Sequence, residues 1–261
     1  MTIAAKRGIW IGLPGGAFAL WIALSLAGPI HALALPSASD STPTPDATAS
    51  VSATMSIGAS LRGQTIVLER FGSGSRHILI IAGIHGDEYG IPVAGSFAKY
   101  LRAHPSLVAS GTQIDLIVCA NPDGRALKRR GNARGVDLNR NFPTSSWTRK
   151  HRRGTLSHGS SPASEPETKA IVRLMKAQRY SRVLALHSAG GLLDHGGTGS
   201  LALAKRVSKA AHVPIVSMPG SYPGSMGGYV AKTLHRPSVI WELSSRTLTR
   251  RVRAGLLAWL R

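Results

Sequence analysis

Acidic side chains are scarce in this chain. Twelve Asp and Glu stand against thirty-two Lys and Arg, a formal net charge of +20 over 261 residues. Such a surplus attracts anionic partners of any kind, nucleic acid, a membrane surface or an acidic polymer, without choosing among them. Aromatic residues are also few, at 5%, and no basic run is interleaved with Phe or Tyr. A base-stacking platform is therefore not built here, and no nucleic-acid partner is expected. Cysteine is nearly absent. Cys119 alone, inside the apolar run 115–120, excludes an intramolecular disulfide and reads as a small buried hydrophobe. No internal repeat is visible. What remains, 43% hydrophobic residues and 29 glycines, suffices to bury a full core in one domain, or at most two.

Two N-terminal segments are set apart from that domain. Lys6 and Arg7 precede an apolar run over 9–30, and Ala32-Leu33-Ala34 supplies the small-x-small pattern that signal peptidase reads. Residues 1–34 are thus expected to be a signal peptide, which makes the protein periplasmic or secreted. The run approaches the roughly 20 residues that span a bilayer, so an uncleaved membrane anchor is the alternative. Pro14, Gly15 and Gly16 make a poor permanent helix and favour cleavage, leaving no stable anchor. Residues 35–56 are rich in Ser, Thr, Pro and Ala and read as a linker, unable to bury enough surface to offset chain entropy. The folded domain is expected over 57–261.

Within it, apolar runs alternate with helical patterns. Strands are expected at 64–69, 77–82, 114–120, 182–187, 213–217 and 238–243, and helices at 91–103, 165–179, 201–211 and 247–260. This is an α/β order, predicting a single domain with a mixed, largely parallel central sheet flanked by helices. Polar residues cluster at the strand exits. His85 and Glu88 follow one strand, Asn121-Pro122-Asp123-Gly124 follows another, and His187 and Glu242 end two more. In open α/β sheets ligands sit outside the carboxyl ends of the strands, so these exits can face one cleft.

A catalytic zinc ion takes three protein ligands and keeps one position for water. His85, Glu88 and His187 supply two nitrogens and a carboxylate, and the small residues Ser188-Ala189-Gly190-Gly191 leave room for substrate. Zinc lowers the pKa of its bound water to about 7, and a nearby carboxylate must still relay the proton. Glu242 lies among Val239-Ile240-Trp241 and Leu243. An acid in such a strand is costly unless it serves a metal, a cation or a raised pKa, so its position points to function.

These residues, together with Gly135-Val136-Asp137-Leu138-Asn139-Arg140-Asn141-Phe142, stand in the order found in zinc carboxypeptidases of the carboxypeptidase A type. The resemblance spans nearly all of 57–261. The short chain, Ser164-Glu165-Pro166-Glu167-Thr168 and Tyr222-Pro223-Gly224-Ser225-Met226-Gly227 make it most similar to the murein peptide amidase branch. Those bacterial enzymes cut between γ-D-glutamate and diaminopimelate in peptidoglycan peptides.

The resemblance implies one zinc ion held by His85, Glu88 and His187, with Asp137 orienting His85. It implies Glu242 as general base and then general acid, and Arg130 as the cation that stabilises the oxyanion. Arg129 and Arg134 are near enough in sequence to compete for that place. Asn139 and Arg140 match the pair that grips the substrate's terminal carboxylate, where a guanidinium fork gives bidentate geometry. Tyr222 matches an active-site tyrosine on a mobile loop, or is a plain turn residue. His158, His195 and His235 match no motif and read as structural or solvated.

The loop 144–163, carrying Arg149-Lys150-His151-Arg152-Arg153, reads as a solvated basic insertion, or as a contact for acidic cell-envelope material. Two other functions compete. An acylamino-acid deacylase of the desuccinylase or aspartoacylase kind shares His-x-x-Glu and a distant His, but the complete run from Gly135 to Phe142 favours a peptidase. A non-catalytic cell-wall-binding module would not need Glu242 and all three ligands together.

Overall fold

The apolar runs become strands of one sheet in a computed structural model that describes residues 53–217 and 222–261. The expected signal peptide, the linker up to residue 52, and Pro219, Gly220 and Ser221 of the Tyr222 loop lie outside the described residues. The strands are β1 (Ala53–Ala59), β2 (Thr65–Phe71), β3 (Arg76–Ala82), β4 (Thr112–Ile117), β5 (Arg182–Ser188), β6 (Leu192–Gly196) and β7 (Ser238–Leu243). Their order across the sheet is β1-β2-β4-β3-β5-β7-β6. The inner strands β4, β3, β5 and β7 are parallel, whereas β1, β2 and β6 add on antiparallel. The parallel strands are covered on both faces, which is why they read as continuous apolar runs.

The helices are α1 (Gly90–Ala103), α2 (Pro122–Ala126), α3 (Pro166–Ala177), α4 (Ser200–Ala211), α5 (Met226–Gly228), which widens into a π turn over Tyr229–Thr233, and α6 (Arg250–Leu260). Strand alternation divides the core in two. Ile78, Ile80, Leu184, Leu186, Val239 and Trp241 pack under α1, α4 and α6. Leu79, Ile81, Val183 and Ala185 pack against α3, Leu138, Phe142 and Tyr229. Each fully buried Ile or Leu contributes about 1.5–3 kcal/mol. Because Trp241 fills the first core, the two-residue period of β7 directs Ile240 and Glu242 to the opposite face.

Two expectations are corrected. The linker reading extended to residue 56, but β1 begins at Ala53 and pairs Ala53 to Ser56 with Arg70 to Val67 of β2. Small and polar residues with alternating exposure suit an edge strand, which needs only one buried face. The segment 213–217 is not a strand. Its contact with the sheet is an isolated bridge between Ile215 and Leu193, since Pro214 has no N–H to donate to a ladder. The edge is instead taken by β6, which begins just after the small residues 188–191. Among the described residues no helix is long and apolar enough to cross a membrane.

Candidate active site and metal centre

The site begins where β3 ends. Gly83, at φ +68°, turns the chain out of the sheet, and His85 and Glu88 are buried in the turn that follows. Gly86 lets this turn lie directly against α2, since a Cβ there would approach the carbonyl carbon of Gly124 to 2.0 Å. Asn121 binds the two segments together. Its Nδ2 donates to the carbonyls of Ile84 and Arg130, both at 3.3 Å, and its Oδ1 caps α2 by accepting from the Gly124 N–H at 2.9 Å. The Gly86 N–H also donates to the Arg130 carbonyl at 3.3 Å. The turn carrying His85 and Glu88 is thereby tied to the loop carrying Arg130.

Three donors converge here. His85 Nδ1 lies 2.6 Å from Glu88 Oε1, and His187 Nδ1 lies 2.9 Å from Glu88 Oε2. One ligand atom from each residue lies within 4.8 Å of the others, and all three residues are buried. The remaining nitrogen of His85, Nε2, is 3.0 Å from Asp137 Oδ1. A proton held on Nε2 by that carboxylate leaves the Nδ1 lone pair for a metal. Asp137 is fixed in turn by the Asn139 N–H, which donates to Oδ1 at 2.9 Å. Two imidazoles and a carboxylate, buried and converging, fit zinc by their donor chemistry.

The two carboxylates agree with that fit. Burial pushes Glu88 toward its neutral form, but the His187 and His85 hydrogen bonds outweigh it and hold the carboxyl at about 2. Burial likewise opposes ionisation of Asp137, and the His85 hydrogen bond again wins, keeping it below the usual carboxylate range. His85 itself is raised: desolvation acts against its cation, and the bonds to Asp137 and Glu88 override it. Fixed negative charge is thus held ready around the three donors.

Across from them stands Glu242. It is the register partner of His187 on the β5–β7 ladder, and both line a cavity of about 550 Å³. Burial raises its pKa above the ordinary glutamate value. Of the three competing arginines, only Arg130 reaches this cavity, with Nη1 3.4 Å from Glu88 Oε1 and Nε 3.3 Å from Asp137 Oδ2. Arg129 donates to the Asn132 carbonyl, and Arg134 pairs with both Glu165 oxygens at 3.2 Å.

Arg140 and Asn139 line the same cavity. The Arg140 Nη1 donates to the Asn139 carbonyl at 2.8 Å, and the guanidinium lies 4.5 Å from the centre of the Tyr222 ring. Among the described residues no carboxylate forms a salt bridge with Arg140. Burial lowers its pKa, the mark of a partly desolvated cation. Asn139 Oδ1 accepts from the Met226 N–H at 2.8 Å, which anchors α5 to the cavity wall. Tyr222 is 50% exposed at the mouth.

The structure adds residues that the sequence did not single out. Asp194, Lys232 and Ser238 line the cavity, and so does His195, which the sequence reads as structural or solvated. His195 Nδ1 also bonds Ser200 Oγ at 3.0 Å, so it has a structural partner as well. A signal for Asp194 existed: Leu192-Leu193-Asp194-His195 places a charge in an apolar strand, as at Glu242. Asn141 serves the scaffold. Its Nδ2 donates to the carbonyls of His158 and Ser161 at 2.8 and 3.0 Å, fastening the basic insertion whose five cationic or imidazole side chains at 149–153 are exposed. His158 bonds the Thr148 carbonyl within the same insertion, and His235 is an exposed turn residue at φ +52°.

Known proteins place these features in context. Murein peptide amidase A of Escherichia coli K12 is 34% identical over 187 residues, covering 67% of this chain and 74% of its own. The crystal structure of murein-tripeptide amidase from Escherichia coli O157 superposes with a TM-score of 0.64 at 30% identity, over 79% of this chain and 92% of the other. Carboxypeptidase A from Helicoverpa armigera, at 20% identity and a TM-score of 0.66 over 80% of this chain and 66% of its own, shares the fold. A sequence profile of the zinc carboxypeptidases matches residues 45–207, a span that holds the turn with His85 and Glu88, the Asp137 loop and His187. With that span matched, the chain belongs to the zinc carboxypeptidase family, a family of zinc-dependent hydrolytic enzymes.

Proposed function

We propose that this enzyme hydrolyses the amide bond between γ-D-glutamate and diaminopimelate in peptidoglycan-derived peptides, using one zinc ion held by His85, Glu88 and His187. The observation that carries the reading is the convergence of those three buried donors opposite Glu242, in a cavity that Arg140 also enters without a carboxylate partner among the described residues. The names of the Escherichia coli relatives support the substrate class, as does that of a γ-D-glutamyl-L-diamino acid endopeptidase from Lysinibacillus sphaericus.

A bound zinc ion would polarise the scissile carbonyl and lower the pKa of water to about 7. The protein's own groups do the rest. Glu242, with a carboxyl raised by burial, is suited to accept a proton from the attacking water at a carboxylate oxygen and return it to the leaving nitrogen. Arg130 presents a fixed cation beside the donor cluster, where an oxyanion develops only in the transition state. Arg140, with Asn139 beside it, offers a fork for the substrate's free carboxylate. Tyr222, whose ring lies 4.5 Å from the Arg140 guanidinium, would cover that carboxylate once bound.

The reading includes export through the N-terminal segment to the periplasm or exterior, and contact of the basic residues at 149–153 with acidic envelope material. The test is incubation with L-Ala-γ-D-Glu-diaminopimelate and with an ordinary L-tripeptide, the products being identified by mass. Release of diaminopimelate supports the assignment. Release only from the L-tripeptide makes the enzyme a general carboxypeptidase instead.

A further inference from the structure

The cavity continues past the catalytic groups into a region that hydrolysis itself does not use. Along β7 the side chains of Ser238, Ile240 and Glu242 share one face, and Asp194 of β6 lies in register with Ile240. Leu193 is buried in the opposite core, so Asp194 points to the cavity side. At about 3.3 Å per residue, Asp194 stands roughly 7 Å and Ser238 roughly 13 Å along the strand from Glu242. The π turn over Tyr229–Thr233 packs against this end, where a Cβ on Gly196 would come within 3.1 Å of Ala231 Cβ, and Lys232 of the same turn lines the cavity. The wall between is kept back by glycine: a Cβ on Gly227 would come within 2.8 Å of Ile240 Cδ1.

We propose that this end of the cavity is a specificity subsite for a side chain that carries both an ammonium and a carboxylate, with Asp194 receiving the ammonium and Lys232 the carboxylate. The inference rests on the hydrolytic reading above and extends it from the bond cut to the group recognised beyond it. Ser238 points independently to a polar occupant. It is 1% exposed, it lines the cavity, and its Oγ has no hydrogen-bond partner among the described residues. A hydroxyl so placed is costly unless a ligand satisfies it. An aliphatic or aromatic side chain would return no hydrogen bond to Ser238 and would meet neither charge, whereas a zwitterionic end complements both signs. The far amino-acid centre of a diamino dicarboxylic acid has this chemistry. The side chain of lysine supplies only half of it.

Three substrates separate the contributions: γ-D-Glu joined to diaminopimelate, to lysine and to norleucine. Lys232→Met is expected to lower kcat/KM on the diaminopimelate compound about tenfold or more, through KM, and to change the lysine compound less than about twofold. Asp194→Asn is expected to weaken both of those about tenfold while leaving the norleucine compound within about twofold. Lys232→Arg is expected to restore the preference. Equal losses on all three compounds, or none, would overturn the subsite. If the wild-type protein cleaves no γ-D-glutamyl compound, it is the hydrolytic reading that fails. Calorimetric binding of free diaminopimelate, lysine and norleucine to wild type and variants then still decides the subsite: that order of affinity, lost on substitution, supports it, and indifference overturns it.

Discussion

His187 and Glu242 are register partners on the parallel β5–β7 ladder, the candidate ligand and the candidate base facing one another across roughly 4.8 Å of strand spacing. Both project on the face that carries Val183, Ala185 and Ile240, away from Trp241. Backbone pairing, not a loop, fixes their separation. A slip of one residue would drive Glu242 into the core and bring Trp241 into the cavity, so the fold's register is also the register of the chemistry.

Replacing Glu242 by Gln is expected to lower kcat about 10²–10⁴-fold with zinc content unchanged, measured by turnover and by metal analysis. The same variant should be at least as stable as wild type at neutral pH. A carboxyl whose folded pKa is raised binds more protons folded than unfolded, so its contribution becomes less favourable as pH rises from the unfolded toward the folded value. Urea unfolding above that window tests this. By the same shift, the acid limb of kcat/KM should lie above the ordinary glutamate value of 4.5.

Asp137 is bound to His85 at 3.0 Å, and the proposed function has it act through that imidazole. Asp137→Asn keeps an acceptor for the Asn139 N–H but loses the charge. Zinc affinity should fall about 10–100-fold, read by competition with a coloured chelator. Unchanged affinity would mean that the His85 tautomer is set by other groups.

Arg140→Lys should raise KM by about tenfold or more on substrates with a free carboxylate, because a point charge replaces a bidentate fork. The same substitution should matter much less for a substrate whose carboxylate is amidated. Arg134→Ala, which removes the partner of Glu165, should alter stability and leave KM in place.

Trp241 is the neighbour of Glu242 on the buried face. Trp241→Ala should cost about 3–5 kcal/mol in denaturant unfolding, the cavity being too large for the surrounding core to close. The cost reports the core that holds Glu242 in place.

The central strands were legible because burial on both faces demands continuous apolar runs, as in Ile78-Leu79-Ile80-Ile81. Edges were less so. β1 hides in Ser- and Thr-rich sequence because an edge strand buries little, and 213–217 has the composition of a strand but Pro214 breaks its ladder. The donor cluster was visible as His85-x-x-Glu88 and His187 since each follows a strand exit. The meeting of Asp194 with Ser238 and Lys232 was not, because it depends on β6 pairing antiparallel to β7 and on a widened turn, relationships that no local spacing encodes. Arg130 could not be told from Arg129 and Arg134 until the Asn121 hydrogen bonds oriented its loop.

The central claim is that three donors and Glu242 form one zinc-dependent hydrolytic site, and zinc titration of chelator-stripped protein tests it most directly. The account predicts that release of diaminopimelate from L-Ala-γ-D-Glu-diaminopimelate vanishes on stripping and returns in full at one equivalent of zinc, while Glu242→Gln binds that equivalent and stays inactive. Release that persists in the stripped protein, or in the zinc-loaded Glu242→Gln variant, would contradict it.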